Sequence, residues 1–194
     1  MKRPQNIALL PVGIALSCRS DSAEPGVIVP TDAPSLTRTV LLSGRANPWD
    51  VAVGGDGSLF FTEKCAGLSV RHPDGSVTRL FGTSGSALVA SDLFCEGQSG
   101  MHGVALDPAF ATNRMIYVFM ASNLSTSPRT NRVVRLTLNA GFTTASGRTD
   151  IITDIAFKDV AKGVGASGAH SGGRIRFGPD GYLYVTTGDN HNPL

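Results

Sequence analysis

Apolar and polar residues alternate in short runs along this chain, and no stretch has the spacing of an amphipathic helix. Arg174 to Phe177 alternates polar and apolar, Gly178-Pro179-Asp180-Gly181 has turn chemistry, and Tyr182 to Thr187 is β-branched and aromatic. This pattern predicts a hairpin. Val51 to Thr62 matches Ile175 to Thr186 position for position, including the Gly-x-Asp-Gly turn. Val104 to Phe110 followed by Asn113 to Phe119 is a looser copy with a longer turn. Leu68 to Arg71, a turn at His72-Pro73-Asp74-Gly75, and Ser76 to Leu80 extend the first copy to four strands. Arg132 to Leu138 extends the second, and Leu36 to Leu42 reads as an outer strand.

A strand pair recurring at roughly fifty to seventy residues is the period of propeller blades with loop insertions. The expected fold is therefore all-β, a β-propeller of which residues 39–194 hold roughly the first three blades. Three blades do not close a ring, and the third copy has only its first two strands. The chain thus reads as the N-terminal piece of a longer protein, with exposed edge strands. A small twisted β-sandwich, complete as it stands, is the alternative.

With 194 residues, 41% of them hydrophobic and 16% charged, the chain is long and apolar enough for a core and unlike a disordered segment. Its net charge is +2 with scattered basic residues, which argues against nucleic acid. Residues 1–17 read as an export signal: Lys2 and Arg3, then a short apolar run, then small residues. Export implies a periplasmic or secreted protein. Cys18 is then a candidate lipid-anchor site, although Ala15-Leu16-Ser17-Cys18 is a poor lipobox, and residues 18–38 read as a flexible leader. Cys65 and Cys95 are left as either a disulfide or two separate buried thiols.

Polar groups gather where the repeated strands begin and end. His170 stands in a glycine-rich approach to the third copy, and an imidazole is the usual acid or base near neutral pH. Cys95 to Gly103 occupies the equivalent place before the second copy, so Gln98, His102 and His170 are expected to face one cavity. Gln98 offers a donor and an acceptor to a carbonyl-rich ligand. The bland readings are that Gln98 satisfies loop backbone, His102 packs under Trp49, and His170 is an ordinary loop residue. Arg174 is a further candidate for lining the site. Asp189 and Asn190 carry oxygen donors suited to Ca²⁺, though the same residues are common in turns.

Glu96-Gly97-Gln98-Ser99-Gly100-Met101-His102-Gly103 leading to Asp107-Pro108-Ala109-Phe110, with His170-Ser171-Gly172-Gly173-Arg174 leading to Gly178-Pro179-Asp180-Gly181, resembles the soluble quinoprotein glucose/sorbosone dehydrogenases, the PQQ-dependent aldose sugar dehydrogenases. Thr62-Glu63-Lys64 fits the same family, and the resemblance runs from about Asn47 to the C-terminus. It implies a six-bladed propeller with pyrroloquinoline quinone (PQQ) and Ca²⁺ at the channel mouth. It also implies His170 as the general base on the sugar C1 hydroxyl and Gln98 as a contact of the quinone. A quinone or cytochrome electron acceptor is left open. The chain departs from the family at Ala169, where some members have an acidic residue, and at Met101 and His102, where members often have leucines. An acidic group to orient the imidazole must then come from elsewhere, with Ser171 a possible helper. The resemblance also implies that the residues that hold the quinone carboxylates and the calcium lie in later blades, so the isolated chain is expected to turn over negligibly. Two other readings are a non-catalytic ligand-binding propeller and a calcium-dependent lactonase-like hydrolase.

Overall fold

The structure, a computed structural model, describes residues 35–126, 128–159 and 165–190. The chain divides into a unit of residues 1–39 and a unit of residues 40–194. The expected export signal, Cys18 and most of the expected leader lie outside the described residues. Residues 35–39 are exposed and have no regular secondary structure. The strand expected at Leu36 to Leu42 does not form: these residues pair with no ladder, and Leu36, Val40 and Leu41 are exposed. Alternating apolar residues alone do not make a strand without a partner edge.

The second unit is built of three antiparallel arrays in chain order. β1 (Pro48–Val53), β2 (Leu59–Glu63), β3 (Gly67–Arg71) and β4 (Val77–Gly82) form one meander, to which the two-residue β5 (Leu88–Val89) adds in parallel. β6 (Met101–Leu106), β7 (Met115–Ser122), β8 (Thr130–Leu138) and β9 (Ala145–Ile155) form the second, with the one-turn α1 (Phe110–Asn113) between β6 and β7. β10 (Ile175–Phe177) and β11 (Leu183–Val185) form the third. Two four-stranded up-and-down sheets and a hairpin are units of the kind that propellers repeat. The described residues make an open array, with no closed ring.

The predicted repeat is also a repeat of register. Val53 pairs with Leu59 and Val51 with Phe61, while Phe177 pairs with Leu183 and Ile175 with Val185. One turn design joins these strands. The N–H of Gly54 donates to Ser58 O and that of Gly57 to Gly54 O; Gly178 and Gly181 repeat this on Tyr182 and Gly178, and His72 and Gly75 on Ser76 and His72. In each turn an aspartate, Asp56, Asp74 or Asp180, accepts the N–H two residues on. The following glycine sits at φ +86°, +92° or +81°, where a side chain is strained. The second array, β6 to β9, replaces the turn with α1, held by Asp107 Oδ1, which accepts from Ala109 N and Asn113 Nδ2.

The middle sheet is buried on both faces, and period-2 alternation splits its side chains between two cores. Ile116, Val118, Met120, Val134 and Leu136 meet Phe60, Leu68, Val70, Leu80 and Phe81 of the first sheet. Tyr117, Phe119 and Val133 meet Ile175, Phe177, Leu183 and Val185 of the hairpin. The innermost strands come close enough for direct backbone bonds. Met101 N donates to Lys64 O, and Gly103 N donates to Gly173 O, where a Cβ on Gly103 would lie 2.2 Å from that oxygen. This close approach brings the loops before β6 and β10 together.

Candidate active site

Two loops meet at one end of the inner strands. The first, Cys95 to Gly100, enters β6 and is tied to the first sheet by a disulfide between Cys95 and Cys65, with Cα atoms 5.4 Å apart. Lys64, next to Cys65, donates its ammonium to the Gly97 carbonyl. The second loop, residues 165–174, enters β10. Its floor comes from β8: Asn131 is fully buried and donates through Nδ2 to Ala156 O at 2.7 Å and to Ser171 Oγ at 3.3 Å. Ser171 in turn donates to Gly168 O at 2.9 Å. Its hydroxyl is therefore spent on the loop's own fold rather than on the imidazole, contrary to expectation.

The loops are joined at their backbones. Gln98 N donates to Ser167 O at 2.7 Å, and His170 N donates to Gln98 Oε1 at 3.3 Å. Glycine permits this contact. A Cβ on Gly97 would lie 2.6 Å from Ser167 O, and one on Gly168 would lie 2.6 Å from Ser99 Cβ.

His170 adopts φ +52°, a left-handed conformation that few non-glycine residues take, and Asn190 beside it has φ +51°. Such strain costs on the order of 1–3 kcal/mol and clusters at working sites. The imidazole is half exposed, and its Nδ1 lies 2.8 Å from Asp189 Oδ1. Asp189 thus supplies the acidic partner that position 169 lacks; Ala169 is buried. Sequence reading took Asp189 only as a metal ligand. The missed signal was the hairpin register, because continuing the Ile175–Val185 pairing outward runs His170 alongside Asp189 and Asn190.

His102 is buried on β6. Its ring stacks on Trp49, with centroids 4.8 Å apart and planes 11° apart, as one expectation had it. Phe119 lies 5.9 Å away on the other side at 5°. Burial pushes the His102 imidazole below its ordinary value; carbonyl contacts from Gly172 and Gln98 pull the other way and do not overcome it. Lys64 adds a smaller downward push.

A cleft of about 450 Å³ is lined by Trp49, Lys64, Gly97, Gln98, His102, Gly168, His170 and neighbouring loop backbone. Gln98, His102 and His170 are therefore brought together. Arg174 is not among them. Its guanidinium lies over the Trp49 ring at 5.2 Å, pairs with Asp50, and lines a separate cavity with Arg45 and Phe61. That larger cavity, about 580 Å³, holds none of the candidate acid–base groups. Asp189 gives an oxygen to His170, and among the described residues no three His, Cys, Asp or Glu side chains are grouped to hold a metal ion. No helix there is long and apolar enough to cross a membrane.

Comparison with known proteins fits this geometry. Residues 45–193 match the family described as Glucose / Sorbosone dehydrogenase. The chain is 27% identical over 172 residues to quinoprotein glucose dehydrogenase B of Acinetobacter calcoaceticus, covering 85% of this chain and 33% of that protein. It is 28% identical over 156 residues to Hedgehog-interacting protein of Mus musculus, covering 77% of this chain and 21% of that one. The PQQ-bound aldose sugar dehydrogenase from Streptomyces coelicolor superposes with a TM-score of 0.64 at 24% identity, over 79% of this chain and 41% of that one, which shows the shared fold. The chain spans only a fifth to two fifths of the length of these proteins. With the family match covering most of its length, the chain belongs to the glucose/sorbosone dehydrogenase family.

Proposed function

We propose that this chain carries the base-bearing side of a quinoprotein sugar dehydrogenase, which oxidises an aldose at C1 to the lactone. The observation that carries the reading is the His170–Asp189 pair on the rim of a cleft shared with Gln98. The cleft suits pyrroloquinoline quinone. About 450 Å³ is within the range of small-molecule sites, Trp49 contributes an aromatic lining residue, and the Gln98 amide is a donor for a carbonyl-rich ring. Bound quinone would supply the acceptor for the C1 hydride.

The chain's own residues handle the proton. With Nδ1–H held by the Asp189 carboxylate, the proton-accepting atom of the imidazole is Nε2. Nε2 takes the C1 hydroxyl proton as the hydride leaves, so the sugar loses two electrons and the ring becomes imidazolium. Asp189 fixes the tautomer and stabilises the charge that appears on the ring. Gln98 orients the acceptor and, through Oε1, holds the His170 backbone.

The test is dye-coupled aldose oxidation, after addition of quinone and Ca²⁺, by a version of this chain extended to the length of its relatives. His170→Ala is expected to lower kcat on the order of 10²–10⁴-fold with the protein still folded. Inactive wild type would sink the dehydrogenase reading. An unaffected His170→Ala would move the base elsewhere. The 194-residue chain alone is expected to turn over negligibly. Hedgehog-interacting protein, as similar in sequence as the dehydrogenase, keeps a second reading in view, a ligand-binding member of the family without turnover. The Nδ1 contact to a carboxylate favours the enzyme, because binding alone does not need an oriented imidazole.

A further inference from the structure

His102 is 4% exposed, and both of its ring nitrogens have partners on the two site loops. Nε2 is 3.1 Å from the Gln98 carbonyl oxygen and Nδ1 is 3.1 Å from the Gly172 carbonyl oxygen. Gln98 O belongs to the residue whose amide enters the cleft, and Gly172 lies two residues after His170. Stacking between Trp49 and Phe119 fixes the plane of the ring, so the two nitrogens can reach only these in-plane acceptors. Space behind the ring is closed as well, because a Cβ on Gly173 would lie 2.7 Å from Phe119 and 3.0 Å from His102 Nδ1. Two further ties between the loops are the Gln98 N to Ser167 O bond and the long His170 N to Gln98 Oε1 bond. Glycines 97, 168 and 172 contribute no side chain to hold the junction.

We infer that His102 is a positioning residue: its ring, hydrogen-bonded to the backbone carbonyl of one loop and packed against that of the other, holds the Gln98 loop to the His170 loop and sets the separation of the two side chains. This inference rests on the reading that Gln98 and His170 work as a pair. Carbonyl oxygens only accept, and a neutral imidazole has one N–H. The ring therefore donates to one loop at a time and is held against the other by packing. A leucine in this place fills space between Trp49 and Phe119 but ties nothing.

The test uses the 194-residue chain and amide hydrogen exchange followed by NMR. His102→Phe keeps the stack and removes the donor. It is expected to speed exchange of the Gln98 amide about tenfold while leaving the amides of β7 and β8 unchanged. His102→Gln restores an N–H donor without the ring and should recover part of that protection. Wild-type protection of Gln98 in His102→Phe would overturn the inference. If both variants unfold, the wild-type ring decides. Its spectrum should show one slowly exchanging ring proton on His102 at neutral pH, and exchange as fast as at His72 would overturn the tie. Aldose oxidation with added quinone, in the version extended to the length of its relatives, separates the two claims. Oxidation without dependence of Gln98 protection on residue 102 removes the tie and keeps the dehydrogenase. Dependence without oxidation removes the dehydrogenase and keeps the tie.

Discussion

At the residue scale, the site depends on one exposed imidazole and one buried one. Asp189→Asn preserves the shape of the His170 partner but lets it hold the wrong tautomer and removes the charge that steadies an imidazolium. We expect about a hundredfold loss of kcat with little change in KM, read by dye-coupled aldose oxidation. An equal fall in affinity would mean that Asp189 binds substrate instead. The buried His102 gives a pH signature. Burial, opposed by its carbonyl contacts, holds its folded pKa below the ordinary 6.5, so the unfolded chain binds the proton more readily. Its contribution is full above about 6.5 and is lost as the pH falls from there through the lowered folded value. Urea midpoints measured from pH 8 to pH 5 should fall, and His102→Phe should flatten this part of the curve. The candidate pair Gln98 and His170 was legible in sequence because each precedes an equivalent inner strand. The placements of Asp189 and Arg174 were not. Both are decided by register and neighbours across strands, which local composition does not carry.

At the element scale, strands announced themselves in proportion to how much they bury. β2, β3, β7 and β8 have runs of fully buried apolar residues, and each was read from its residues. β9 was missed. Its eleven residues, Ala145–Ile155, include one buried residue, and it lies at the outer edge of its sheet, held by ladder bonds and the Arg132–Asp150 pair, with Ala145, Ile152 and Ile155 as its apolar contacts with the cores. β5 is two residues long and has no pattern to read. The spurious strand at Leu36 to Leu42 is the converse case, an apolar alternation with no edge to join. The turns were legible because Asp-Gly chemistry is local. They also allow a comparison between two glycines at positive φ. Gly57, at φ +86°, has nothing within 4 Å of a built Cβ, so Gly57→Ala should cost only the conformational penalty, about 1 kcal/mol. Gly67, at φ +110°, would put a Cβ 2.3 Å from Phe81 O and 2.5 Å from Gly82 Cα. Gly67→Ala must push β3 and β4 apart and should cost several times more. Urea denaturation of the two variants checks the order, and equal losses would mean that strain rather than packing controls both.

At the scale of the whole folded unit, the inner strands of all three arrays share one carboxylate. Asp50 on β1 is buried beside three neighbours. Arg176 from β10 grips it bidentately at 2.7 and 2.8 Å, Arg174 pairs with it at 2.9 Å, and Val104 N of β6 donates to it at 3.1 Å. Burial raises the Asp50 pKa, but the Arg176 and Val104 hydrogen bonds outweigh it, and the carboxyl ends below 3.8. This is a different device from the apolar cores, which join the sheets only in neighbouring pairs. Removing the carboxylate leaves a buried N–H and two guanidinium groups without their common partner. Buried pairs lose about 3–5 kcal/mol when one partner is removed, but both arginines are about half exposed and water screens them. Asp50→Ala should therefore cost about 2–3 kcal/mol at neutral pH. The sign of the pH dependence separates charge from packing. A carboxyl with a depressed folded pKa contributes fully above 3.8, and the contribution is lost as the pH falls through the lowered value. The gap in urea midpoint between wild type and Asp50→Ala should hold from pH 7 to about pH 4 and close below that. A gap that stays constant into acid would show that Asp50 fills space between the inner strands, and that the arginines contribute nothing through charge.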